Sequence, residues 1–253
     1  MSWNPFSRAA PRKSVISRTQ EREFEKDVKK IEELDESSRK LYKDVKRWIE
    51  ANNAVAKSER KISQDLLNSV LCQQDEELRA LVEDWDKSVA RIETHTHEMN
   101  NSAQKTFVDP MKKFSSIFPN VQLAVKRREQ VLQEFQKCQL KNDKYEDRER
   151  TGQNRVKQEQ SKKMLNSARE EFISQNTSLT SDIPKLIEGR IDYLQPSFEA
   201  LVNSQVTYNT EAFKIYSELS LQMNDLQEIS NEEYSARIQK NLDDMKSLSI
   251  TVD

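Results

Sequence analysis

Glycine is nearly missing from this chain: 2 of 253 residues, alongside 6 prolines. Tight turns consume most of a protein's glycine, so hairpin-rich sheets, β-sandwiches and dinucleotide-binding α/β folds are excluded. No apolar run reaches the roughly 18 residues a membrane-crossing helix needs. The N-terminal MSWNPFSRAAPRK lacks the apolar stretch of a secretory leader, so none is expected. Only two cysteines occur, Cys72 and Cys138, far apart and without CxxC spacing, as suits small helix residues in a reducing, cytoplasmic compartment. Histidine is limited to His95 and His97, two residues apart and so on different sides of a helix, unable to share a metal. P-loop, GxGxxG, GxSxG and HExxH motifs are all absent. No catalytic residue, metal or cofactor is expected, and the chain does not read as an enzyme.

What is present is charge and period. Charged residues make up 33% of the chain against 35% for the hydrophobic types. The apolar residues recur at helical spacing, which disfavours disorder and indicates a few long helices. Leu34, Leu41, Trp48, Val55 and Ile62 form an unbroken step of seven, the seam of a coiled coil. This predicts helix 1 over about 19–68, with Asp75 an N-cap for the next helix. Leu78, Trp85, Ile92 and Met99 repeat the step in helix 2, about 75–148. Helix 3 is expected over about 156–229, through Leu165, Phe172, Leu179, Leu186 and Tyr193. Gly152 marks a tip loop at about 149–155. Residues 1–18 form a basic, weakly amphipathic segment, 19–230 the helical body, and 231–253 a short helix and tail.

About Gly152, Pro119 mirrors Pro184 and Pro110 mirrors Pro196. In an antiparallel hairpin such pairs sit at shared heights and would kink both arms together. The alternative is that some of these prolines begin or end separate helices.

The net charge of −2 is unevenly spread: residues 121–165 carry 12 basic and 7 acidic side chains, and residues 166–253 carry 7 and 15. Lys137, Lys141, Lys144 and Arg148 share one helical face. Lys126, Arg127 and Arg128 precede them, and Arg155, Lys157, Lys162 and Lys163 continue the cations past the tip. Such a strip acts on an anionic surface it touches, either lipid headgroups or nucleic-acid phosphates. With acids interleaved, a solvated helical face is the plainer alternative. At the N-terminus, Trp3, Phe6 and Ala10 make a small apolar edge among Arg8, Arg12 and Lys13, as in a segment that enters a membrane interface. Pro11 limits its length, and Trp3 tucked against the body is the alternative.

The block Phe118-Pro-Asn-Val-Gln-Leu-Ala-Val-Lys-Arg-Arg-Glu129 and the stretch from Ser181-Asp-Ile-Pro to Ser197-Phe-Glu-Ala-Leu201 resemble the BAR domain of the amphiphysin and bridging integrator group. The start Met1-Ser-Trp and the tail Lys246-Ser-Leu-Ser-Ile250 resemble its short subgroup without an SH3 domain, which includes fungal members. The resemblance implies an all-α fold: an antiparallel, curved coiled coil of three long helices, dimerising through a six-helix bundle. It implies a homodimer, or a heterodimer with another BAR protein, whose basic side chains meet anionic membrane rather than nucleic acid. It also implies peripheral placement at membrane and cortical actin, with roles in actin organisation, cell division or endocytosis through actin regulators and Rho-family GTPase signalling. Within this chain no SH3 domain is expected. A coiled-coil cytoskeletal crosslinker without lipid contact is the second reading.

Overall fold

A computed structural model describes residues 16–147, 151–223, 230–248 and 250. Trp3, Phe6 and Arg148 lie outside the described residues. The elements are α1 (Arg18–Leu67), α2 (Val70–Gln73), α3 (Glu76–Ala103), a π-helical segment (Gln104–Val108), α4 (Asp109–Ser115), α5 (Phe118–Glu146), α6 (Gly152–Gln222) and α7 (Asn231–Lys246). Among the described residues there is no strand.

Polar side chains start these helices where the sequence supplies them. The Ser17 hydroxyl accepts from the Gln20 backbone N–H at 3.1 Å, and the Gln20 side chain accepts from Ser17 N–H at 3.4 Å. This reciprocal box satisfies two N–H groups that α1 cannot pair internally. Asp75 accepts from Leu78 N–H at 2.9 Å, and Ser230 with Glu233 forms a full capping box for α7.

The prolines behave differently on the two arms. Pro119 falls in the first turn of α5, where a missing N–H costs nothing, whereas Pro110 lies just past the π-helical segment in a helical run unbroken from Glu76 to Ser115. Pro184 and Pro196 lie inside α6, which runs through both. The mirrored positions do share heights: Phe118 packs with Ile183, and the Tyr193 hydroxyl donates to the Pro110 carbonyl at 3.1 Å. On the α4–α5 arm the regular α-helix is interrupted at the π-helical segment, and at the Ser116–Ile117 turn one helix stops and another starts.

The chain divides into two compact units. The first comprises Met1–Ile49 with Asn101–Asn203. Its core joins Phe24 and Ile31 of α1, Phe114 and Phe118, and Leu179 and Ile183 of α6. Phe114 meets Phe118 edge-on with ring centres 5.1 Å apart and stacks on Tyr193 at 5.3 Å. A second cluster, Leu132, Phe135 and Phe172, closes the α5–α6 pairing, with Ile16 against it.

The other unit comprises Glu50–Asn100 with Ser204–Asp253. Val82, Val89, Ile92, Met99, Ile215 and Leu219 are buried in it. Its α1–α3 contact is polar in two places. Asn100 accepts from Asn52 at 3.3 Å and donates to Asn53 at 2.9 Å. The Ser63 hydroxyl donates to the Asp86 carboxylate, which also pairs with Arg60, both at 2.6 Å.

The step of seven in α1 is only partly covered within a single chain: Leu34 packs against the first core and Trp48 is half-buried, but the other three residues are not covered. Leu41, Val55 and Ile62 are 45%, 57% and 58% exposed, while Phe24, Ile31, Ser38, Ala56 and Ser63 are buried. Rotated about 100° from Val55, Ala56 and Ser63 allow close approach of the neighbouring helix. The apolar line is left on the outside.

Candidate functional site

The basic strip is built on α5. Its buried side chains, Arg128, Leu132, Phe135, Cys138 and Asn142, mark the inward face. At 3.6 residues per turn, Lys126, Lys137, Lys141 and Lys144 fall within a sector of about 60° centred opposite that face. All four are exposed, and the line they form is about 27 Å long at 1.5 Å per residue. Gln130 and Gln133 fill the interval, so no acid interrupts the line itself. Leu123 and Leu140 flank it, 68% and 53% exposed. The strip thus presents cations with apolar side chains between them.

Exposed ion pairs touch the zone lightly. Arg127 lies 3.8 Å from Glu171 of α6, and Lys137 3.9 Å from Glu134. Both are solvent-facing contacts at long range, worth about 0–1 kcal/mol, so either cation can exchange its partner for another anion. Lys126, Lys141, Lys144, Arg155, Lys157, Lys162 and Lys163 form no ion pair among the described residues.

Arg128 is a correction to the strip. It is 2% exposed, with its guanidinium donating to both Glu21 oxygens at 2.9 and 2.7 Å and to the Asn176 side-chain oxygen at 2.8 Å. The same guanidinium sits 3.9 Å from the centre of the Phe24 ring. The hydrogen bond from Arg128 holds the Glu21 carboxyl below its usual 4.5, against the opposing effect of burial, and the cation's charge adds to the lowering. Arg128 therefore ties α1, α5 and α6 together and cannot reach a surface ligand. The sequence did hold a signal for this: Arg128, Leu132 and Phe135 follow i, i+4, i+7, which puts Arg128 on the buried stripe.

Past the tip, α6 begins at Gly152, with the Thr151 hydroxyl accepting from Asn154 N–H at 3.4 Å. Arg155 and Lys162 share a face, and Arg169 extends it by a further seven residues. Lys157 lies about 160° round the helix from Arg155, and Lys163 about 80° round. All five are exposed, but they do not make one strip. The α5 lysines thus share one helical face, and the α6 cations are spread round theirs.

Little else offers chemistry. Burial and the neighbouring Glu134 carboxylate push the Cys138 thiol up, away from the reactive thiolate. Among the described residues no group of three or more His, Cys, Asp or Glu could hold a metal. No described helix is long and apolar enough to cross a membrane.

The family model described as the BAR domain matches residues 14–225. The mouse protein "Bridging integrator 3" is 41% identical over 253 residues, covering all of both chains. The Candida albicans protein "Regulator of cytoskeleton and endocytosis RVS161" is 26% identical, over 99% of this chain and 98% of its own. Among solved structures, the amphiphysin BAR domain from Drosophila aligns with a TM-score of 0.69 at 18% identity, over 81% of this chain and 92% of that one. A helical chain whose 118–129 and 181–201 blocks meet in one core, matched by the model over most of its length, belongs to the BAR domain family.

Proposed function

We propose that this protein is a dimeric scaffold that binds curved anionic membrane and links it to organisation of the actin cytoskeleton, cell division or endocytosis. The observation that carries the reading is the outward line of Lys126, Lys137, Lys141 and Lys144, interleaved with exposed Leu123 and Leu140. Cations near an anionic leaflet contribute about 1 kcal/mol each, and apolar side chains between them add interfacial burial. A regular duplex offers those leucines nothing, so the leucines favour lipid over nucleic acid. Arg127, Arg155, Lys157, Lys162 and Lys163 extend the cationic zone, and Arg148 belongs to it by sequence.

Dimerisation is supported by apolar side chains that one chain leaves uncovered. Val206, Phe213 and Leu221 are 58%, 73% and 77% exposed, alongside Val55 and Ile62 of α1. Exposed large apolar side chains of this kind favour burial against a partner, and a second copy or a related BAR chain fits that role. The cytoskeletal and endocytic part rests on the Candida relative's name, and contact with Rho-family GTPase signalling rests on the family resemblance.

The test is sedimentation with anionic vesicles of several diameters and salt concentrations. Changing Lys137, Lys141 and Lys144 together to Glu is expected to lower membrane affinity by at least about 3 kcal/mol, roughly 150-fold. Helix content and dimer mass should be retained. A folded, dimeric triple variant that pellets like the unaltered protein would leave the crosslinker reading in its place.

A further inference from the structure

We propose that residues 1–15 dock back onto the protein's own body, with Trp3 in the cleft between the start of α1 and the middle of α6. The cleft is a cavity of 180 Å³. At roughly 30 Å³ per water molecule it has room for a side chain rather than a single bridging water. Its floor is apolar, with Phe24, Leu179 and Ile183, all buried. Its rim carries Glu23 and Asp27. The one cation in its wall, Arg128, is already matched by Glu21.

Three features identify the occupant. Ile16 itself lines the cleft, so the chain immediately upstream starts from the mouth of the site. Residues 1–15 contain Arg8, Arg12 and Lys13 and no acid, opposite in sign to the rim. Glu23 has no ion-pair partner among the described residues, and Asp27 holds only the solvent-exposed Lys30 at 2.8 Å, a contact easily exchanged. Trp3 and Phe6 supply apolar matter that the segment cannot bury by itself. Trp3 lies thirteen residues before Ile16, and closing a loop of that length carries a modest entropic cost.

Docking makes the cleft a latch. Trp3 held in the α1–α6 cleft is unavailable to a membrane interface, and a leaflet that binds the α5 lysines competes for the same segment. This regulatory consequence rests on the membrane-binding proposal. The docking itself does not.

The experiment uses the full chain with fluorotryptophan in place of its 3 tryptophans. Trp3 is assigned by loss of its fluorine resonance in Trp3→Phe. Without vesicles, the Trp3 resonance is expected to show the weak solvent-isotope shift of a shielded indole. Thr180→Phe places a ring at the exposed mouth of the cleft without changing charge. It should move Trp3 to the fully exposed position and raise binding to phosphatidylserine-containing vesicles about threefold at limiting lipid. Glu23→Gln with Asp27→Asn gives a second route to the same release. A fully exposed Trp3 in the unaltered protein, or a Trp3 resonance indifferent to both variants, overturns the proposal. Release without any change in vesicle binding supports the docking and overturns the membrane role of the segment.

Discussion

Arg128 and Glu21 make opposite demands on their surroundings, and that asymmetry can be measured. Arg128 is 2% exposed whereas the Glu21 side chain is 29% exposed. Glu21→Gln leaves a desolvated cation with neutral acceptors. Breaking a buried pair from one side costs about 3–5 kcal/mol, and the low end applies because Asn176 still accepts at 2.8 Å. Arg128→Met keeps the apolar volume and leaves a carboxylate that water can reach. Its losses are the charge-assisted bonds and the contact over Phe24, together about 1.5 kcal/mol after rehydration of Glu21. The assay is urea unfolding at fixed protein concentration, since dimerisation would otherwise shift the midpoint. With a slope near 3 kcal/mol per molar, the midpoints should fall by about 1 M and 0.5 M respectively. A depressed carboxyl contributes stability that is complete above its unfolded value and lost as pH falls through its folded one. The unaltered protein should therefore lose its advantage over Glu21→Gln below about pH 4.5. If Arg128→Met proves the more damaging, or neither variant shifts the midpoint, Arg128 is not the buried anchor of the three helices. Binding of Arg128→Met to anionic vesicles should match the unaltered protein, in contrast to the lysine triple variant.

Two further outcomes derive from burial. Phe118 is 0% exposed and meets Phe114 edge-on, so Phe118→Ala should cost about 3–5 kcal/mol by calorimetry or urea, with the first unit's core loosened. Ser230→Ala removes the α7 cap at a cost of about 1 kcal/mol, and because no α7 residue is buried, faster amide exchange should appear in α7 alone, with the global midpoint unmoved.

Periodicity in the sequence made the helices legible but not the directions their faces take. Leu41, Val55 and Ile62 announce a coiled coil, yet the α1 residues that pack within one chain include Ser38, Ala56 and Ser63, small side chains that a hydrophobic count passes over. The same limit applied to the cations. Lys126, Arg127 and Arg128 are three consecutive residues and look alike in a charge tally, but successive residues turn 100° and the third enters the core. The two sequence blocks that carried the family resemblance proved to be spatial neighbours: Phe118, Val121 and Val125 pack with Ile183, Leu186 and Ile187. Their side chains answer to each other across two helices, which a linear reading cannot display. Glu21 and Asn176, the partners that make Arg128 tolerable inside, are distant in sequence and had no local signature.

The amides of Asn52, Asn53 and Asn100 divide the information content of α1 between its faces. A purely hydrophobic heptad seam tolerates sliding by seven, since each apolar residue meets an equivalent one. In the α1–α3 pairing such a slide would set Asn100 beside Val45 and Lys46 and strand the amides of Asn52 and Asn53, whose mutual satisfaction exists in one alignment only. The hairpin alignment is thereby fixed by a few polar groups. The apolar line at Leu41, Val55 and Ile62 is left free to vary without disturbing it. If the proposed dimer forms on that outer line, substitutions there would change the choice between an identical and a related partner while the subunit keeps its own α1–α3 alignment.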